Sequence, residues 1–148
     1  MTCSPDALLA AAKALHDIAS DEAFYRSATN RLYYASYHCC RAYNAALPIA
    51  PIQGNGVHEQ LINQLTFPAK KLTANGRLRA TAIGKYLRSL CTQRALADYG
   101  MDSEFSKEQM DQALRTAEMI FSATKVKKGL LEDGVCQRSC RVISSCLL

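Results

Sequence analysis

The sequence feature that most constrains the fold is residues 21–46, DEAFYRSATNRLYYASYHCCRAYNAA, which contain neither proline nor glycine. Asp21 and Glu22 provide the acidic residues that favour the first turn of a helix. The next segment, LPIAPIQGNG (47–56), contains two prolines and two glycines and therefore ends the helix. The pattern predicts one long helix over this stretch.

The other regular segments also have the periodicity of helices. Ser-Pro-Asp at residues 4–6 combines a capping residue, a proline at the first helical position and an acidic first turn. Ser106 and Gln109 form the capping-box pattern that begins a last helix. Two further helices are expected over residues 57–65 and about 77–97. Because no segment has the alternation of a strand, the sequence predicts an all-α protein, most simply an antiparallel bundle of four to five helices.

The chain of 148 residues is long enough for one domain with a core. We predict a helical domain over residues 1–128 and a loosely structured tail over residues 129–148, which carries Cys136, Cys140 and Cys146. These cysteines lack the paired C-x-x-C spacing and the histidine of a zinc site. The odd total of seven cysteines also disfavours a secreted disulfide framework. We therefore expect free thiols, and neither a metal ion nor a cofactor.

The composition limits where the protein acts and what it binds. No segment is apolar for long enough to span a bilayer, and the N-terminus has an acidic residue where a signal peptide would be basic. We therefore expect a cytoplasmic protein without a membrane partner. The net charge of +5 is compatible with nucleic acid. A metal–carboxylate bundle would need Glu-x-x-His pairs, and none of the three histidines has a glutamate three residues before it.

Arg31 and His38 are seven residues apart within the long predicted helix. Seven residues advance an α-helix by about 10.5 Å and return to within roughly 20° of the starting direction, so the two side chains share a face. Ala28, Ala35 and Ala42 lie on the same face. Such a row of small side chains admits either another helix at close range or a substrate, and the sequence leaves both uses open.

The chemistry of this pair suits the cleavage of RNA without a metal. Arginine is always charged, and its planar fork matches a phosphate. Histidine titrates near neutral pH, so His38 can remove a proton from a 2′-hydroxyl or give one to the leaving oxygen. One helix offers one histidine, whereas the reaction needs both an acid and a base. A two-fold dimer that apposes two such faces would provide two of each.

Several other residues are candidates for supporting RNA binding, each with a simpler structural alternative. Tyr34 and Tyr37 can stack on bases, whereas Tyr33 and Tyr43 are expected in the core. His58 can contact the substrate or make a local hydrogen bond near the start of its helix. Basic residues that can guide RNA, or form only a solvated face, are Arg77 and Arg88. Arg94 and Asp98 can pair along the end of the fourth helix and brace the motif helix. An Arg and a His on a helix are themselves often only solvated or part of an interface.

The stretch SATNRLYYASYHCCRAY (27–43) resembles the central motif helix of the HEPN superfamily (higher eukaryotes and prokaryotes nucleotide-binding domains). That family carries an R-x(4–6)-H motif, which Arg31 and His38 fit with a spacing of six. Three later segments resemble those of small prokaryotic members, in the same order: GVHEQLINQL (56–65), YLRSLCTQRALADYG (86–100) and SKEQMDQALRTAEMIFSAT (106–124).

The resemblance implies a helical bundle that dimerises through the motif helix. In active members it implies a metal-independent endoribonuclease, with Arg31 and His38 as catalytic residues and a 2′,3′-cyclic phosphate as product. Asn30 stands beside the motif arginine, where a polar residue is common in active members. Such members are toxins of toxin–antitoxin pairs or antiphage defence effectors, and the usual partner is a nucleotidyltransferase-type antitoxin. Other members are non-catalytic binding or scaffold modules, and this alternative stays open.

Overall fold

The computed structural model describes residues 3–125, and their regular structure consists of five α-helices. Four of these helices begin at a residue whose side-chain oxygen accepts the backbone N–H three residues later, which satisfies a donor that would otherwise be unpaired. The capping residues are Ser4, Asp21, Thr73 and Ser106. The helices are α1 (Pro5–Ile18), α2 (Glu22–Ala45), α3 (Val57–Thr66), α4 (Ala74–Tyr99) and α5 (Lys107–Thr124).

The long helix α2 is the centre of the bundle, because it packs against each of the other four helices. Its inward side chains join those of α3, α4 and α5 in the main core. The largest fully buried apolar side chains are Leu32, Leu65, Ile83, Leu87, Leu90, Met110 and Ile120. The predicted all-α fold is thus confirmed, and no described helix is long and apolar enough to cross a membrane.

Most of the predicted helix boundaries are confirmed, and the start of the fourth helix is the main correction. This helix begins at Ala74 rather than near Arg77, because the Thr73 hydroxyl accepts the backbone N–H of Gly76 and so fixes an earlier first turn. The capping box of the last helix is present, with both hydrogen bonds between Ser106 and Gln109. The predicted tail over residues 129–148 lies outside the described residues.

Gly84 is the point at which α4 passes closest to the end of α3. A methyl group added there would lie 2.6 Å from the Thr66 Oγ1 atom and 2.7 Å from its backbone nitrogen. The second atom belongs to the main chain and cannot move aside alone. Glycine is therefore required in the middle of this helix, although it is a poor helix former.

Gly84→Ala is expected to lower the free energy of unfolding by about 1–3 kcal/mol, because the added methyl forces α3 and α4 apart. Intrinsic helix propensity alone would favour alanine by about 1 kcal/mol, so the sign of the change reports the packing. Urea unfolding followed by circular dichroism measures it. Gly76→Ala in the first turn of the same helix is the control, because the nearest atom to its added methyl is a side-chain hydroxyl at 3.1 Å. A Gly84→Ala variant as stable as the native protein would contradict this close approach.

Candidate active site on the central helix

Arg31 and His38 both lie within the uninterrupted helix α2, so their spacing places them on one face, as predicted. Arg31 is exposed, and His38 is partly buried. Neither side chain forms a hydrogen bond or ion pair with another residue in the range 3–125. The guanidinium and the imidazole nitrogens are therefore without a polar partner in the described part of the chain.

The row of alanines beside this pair serves mainly to pack helices. Ala28 and Ala35 are fully buried, and only Ala42 is exposed. Ala28 packs in a second, smaller core cluster with Ala97 of α4 and Met110 of α5. Of the two uses that the sequence left open, close helix packing is therefore the one found at Ala28 and Ala35.

The His38 imidazole lies against two tyrosine rings of its own helix. Its centroid is 4.5 Å from that of Tyr34 and 5.3 Å from that of Tyr37, and both contacts are edge-to-face. Tyr34 is 45% exposed and remains available for stacking on a base. Tyr37 is only 9% exposed and belongs to the main core, so the prediction that it stacks on bases is corrected. The reason is that Tyr37 lies on the side of α2 covered by α3, whose His58 ring contacts it; Tyr33 is buried as predicted.

His58 reaches the same region from the first turn of α3. Its Nδ1 atom is 2.7 Å from the Tyr33 phenol oxygen, and its ring centroid is 4.4 Å from that of Tyr37. The sequence suggested a local hydrogen bond near the start of α3. In the structure, the hydrogen bond of His58 is instead made to Tyr33 of α2. Burial lowers the pKa of His58, and the positive charges of Arg94 and His38 lower it further.

Asn30 and two residues of α4 connect the motif helix to the end of α4. The Asn30 side-chain amide donates to both carboxylate oxygens of Asp98, at 3.1 and 2.9 Å. The Nε atom of Arg94 lies 2.7 Å from Asp98, although its N–H does not point along this contact, so the two form an ion pair rather than a hydrogen bond. The Arg94 guanidinium also stands over the rings of Tyr33 and Tyr99. The predicted Arg94–Asp98 pair is therefore present and braces α2.

A family model described as the HEPN domain matches residues 7–128, which is most of the chain. The chain belongs to the HEPN family. No curated protein and no solved structure gave a significant match. HEPN domains bind RNA and often dimerise, and many are ribonucleases. Membership is thus consistent with a ribonuclease and with a role as a toxin or in defence.

Two basic residues predicted to guide RNA to this HEPN domain form hydrogen bonds with groups other than Arg31 and His38. The Arg77 guanidinium donates to the backbone carbonyls of Leu72 and Lys70, beside an open groove of about 1160 Å³. The Arg88 guanidinium donates to the Asn63 side chain of α3 at 2.8 Å. Within residues 3–125, no hydrogen bond or ion pair joins either of them to Arg31 or His38. Their predicted contribution to RNA binding stays a prediction.

One ring close to the site was not predicted at all. Tyr99 is 73% exposed and lies against the Arg94 guanidinium at the last residue of α4. Its place in the ADYG segment suggested only a helix end.

Among residues 3–125, no group of three His, Cys, Asp or Glu side chains is arranged to hold a metal ion.

Proposed function

We propose that this HEPN protein is a metal-independent endoribonuclease in which Arg31 and His38 are the catalytic residues. The observation that carries the proposal is the pair itself. A permanent cation and a titratable imidazole lie on one face of the central helix, and neither forms a hydrogen bond or ion pair with another residue in the range 3–125.

Each residue has a defined part in the reaction. His38 transfers a proton at one of the two oxygens that exchange places at phosphorus. Arg31 binds the phosphoryl oxygens and stabilises the negative charge that grows on them in the transition state. The exposed Tyr34 ring stacks on a neighbouring base. The products are a 2′,3′-cyclic phosphate on one fragment and a free 5′-hydroxyl on the other.

The proposal extends to the assembly and the biological role. A two-fold dimer through α2 would bring two Arg31–His38 pairs to one cleft, which fits the exposure of Arg31 and Tyr34 on that helix. The role we propose is that of a toxin in a toxin–antitoxin pair or of an antiphage defence effector, acting in the cytoplasm. A nucleotidyltransferase-type protein is the proposed partner.

The test is a gel assay of the purified protein on total RNA and tRNA in the presence of EDTA. We expect cleavage with EDTA present and fragments that end in a 2′,3′-cyclic phosphate, detected by their resistance to 3′-end ligation until the cyclic phosphate is opened. Light scattering on the same sample measures the dimer. Loss of cleavage on addition of EDTA would overturn the metal-independent mechanism. Absence of cleavage by a folded dimer would instead favour the non-catalytic binding module.

A further inference from the structure

Cleavage by attack of a 2′-hydroxyl needs proton transfer at two places at once. The attacking and leaving oxygens stand roughly in line on opposite sides of phosphorus. One imidazole cannot serve both oxygens in the same step. Helix α2 carries His38 as its single histidine, so a second proton-transfer group within the same protomer comes from another element.

His58 is in a position to be that group within the same protomer. Its ring and that of His38 both contact the Tyr37 side chain, at centroid distances of 4.4 and 5.3 Å. His58 itself is exposed to solvent, and its Nε2 atom has no hydrogen-bond partner among residues 3–125. The fold thus places both imidazoles against the Tyr37 ring, where α3 meets α2.

We propose that His58 is the general base of this site and acts together with His38 of the same protomer as general acid. This inference rests on the ribonuclease function proposed above. The Nε2 atom of His58 takes the proton from the 2′-hydroxyl, and the 2′-oxygen forms a bond to phosphorus. The bond from phosphorus to the 5′-oxygen breaks, and that oxygen receives a proton from the His38 imidazolium. Atoms and charge balance, and no other reactant is needed.

The hydrogen bond with Tyr33 suits His58 to the role of a base. When Nδ1 donates to the phenol oxygen, Nε2 carries no hydrogen and its lone pair is free to accept a proton. The phenol keeps its own proton, because burial and the neighbouring Cys91 raise the pKa of Tyr33 well above its usual value. Tyr33 is therefore a positioning residue, which holds the His58 ring in its orientation.

The surroundings also favour the neutral form of His58. From α4, the Arg94 guanidinium disfavours a second positive charge, and from α2 the charged form of His38 does the same, so the pKa of His58 is lowered. The rings of Tyr33 and Tyr37 face it from α2. On its own helix, the nearby Glu59 carboxylate is turned to the backbone N–H of Asn55. A neutral His58 beside a protonated His38 is the combination that acid–base cleavage requires.

The experiment compares His58→Gln and His38→Gln with the native protein on a short fluorescent RNA that contains one mapped cleavage site. We expect each variant to lower kcat/KM by about 100-fold or more, as general acid–base groups commonly do. The acid limb of the native pH profile should disappear in His58→Gln. His16→Gln, in α1, is the matched control and should cleave at the native rate, because His16 contacts Asp111 of α5 and not the site.

A second substrate assigns the two roles. Replacing the scissile 5′-oxygen with sulfur gives a leaving group that departs as a thiolate, since a thiol is far more acidic than an alcohol. This RNA should restore fast cleavage to His38→Gln but not to His58→Gln. Restoration in His58→Gln, or native activity of that variant on ordinary RNA, would overturn the inference while leaving the proposed function intact. Absence of cleavage by the native protein would overturn both.

Discussion

Replacing Arg31 or His38 with alanine is expected to lower the rate of RNA cleavage by about 100-fold or more without unfolding the HEPN domain. Loss of a proton-transfer group costs about 10²–10⁴ in rate, and loss of one stabilising contact to a charged transition state costs about 10²–10³. Both side chains lack polar partners within residues 3–125, so their removal leaves no buried group of that region unpaired. Single-turnover rates in EDTA measure the loss of cleavage, and circular dichroism on heating shows whether the variants stay folded.

The matched control is Arg41→Ala. Arg41 is an exposed arginine on the same helix, about 15 Å along the axis from Arg31 and turned from it by about 80°. This variant should cleave RNA at nearly the native rate while losing the same net charge. Arg31→Lys separates charge from shape, because an ammonium group lacks the planar fork that contacts two phosphoryl oxygens. Cleavage by Arg31→Ala and His38→Ala at native rates would place the activity elsewhere.

The helices of this protein could be predicted because their signals are local. Ser4, Asp21 and Ser106 cap helices with their own side chains, and each signal lies within three residues of the group it satisfies. The long α2 was predictable for the same reason, since breakers were absent inside it and dense after it. The start of α4 is the exception, because the capping residue Thr73 is followed three positions later by Gly76 and not by the glutamate or glutamine of a capping box.

The side of α2 that each tyrosine occupies could not be predicted so well. Tyr34 and Tyr37 are equally polar and lie in the same run of residues, yet Tyr34 is exposed and Tyr37 is in the core. The choice depends on where α3 and α4 pack, and that information is spread over distant segments. The same holds for His58, whose hydrogen bond to Tyr33 joins residues 25 positions apart across an irregular loop.

Arg26 is the most consequential residue that sequence reasoning missed. It lies one turn after Glu22, and this spacing indicates at most a surface ion pair. In the structure the residue is only 8% exposed. Its guanidinium donates hydrogen bonds to four backbone carbonyls, those of Leu96, Ala97, Gly100 and Ser103, and to the Glu22 carboxylate. One side chain of α2 thus provides hydrogen-bond donors for backbone carbonyls at the end of α4 and in the turn that follows it.

Arg26→Met is expected to lower the free energy of unfolding by about 1–3 kcal/mol, because the buried carbonyl of Ala97 and the part-buried carbonyls beside it lose their hydrogen-bond donor. Methionine keeps most of the apolar stem, so the loss reports the guanidinium rather than a cavity. Arg26→Lys should recover only part of the stability, since one ammonium group cannot reach all four carbonyls. Urea unfolding measures both, and Arg41→Met, an exposed site on the same helix, should change stability by less than about 0.5 kcal/mol.

The pH dependence of stability gives an independent check on the same contact. The hydrogen bond from Arg26 lowers the pKa of Glu22, and the backbone N–H of Phe105 lowers it further. A carboxyl whose folded pKa lies below its unfolded value stabilises the protein above the unfolded value, and this stability is lost as pH falls through the folded pKa. Arg26→Met should therefore show a shallower loss of stability on acidification than the native protein. Equal slopes in the two proteins would mean that the pKa of Glu22 does not depend on Arg26.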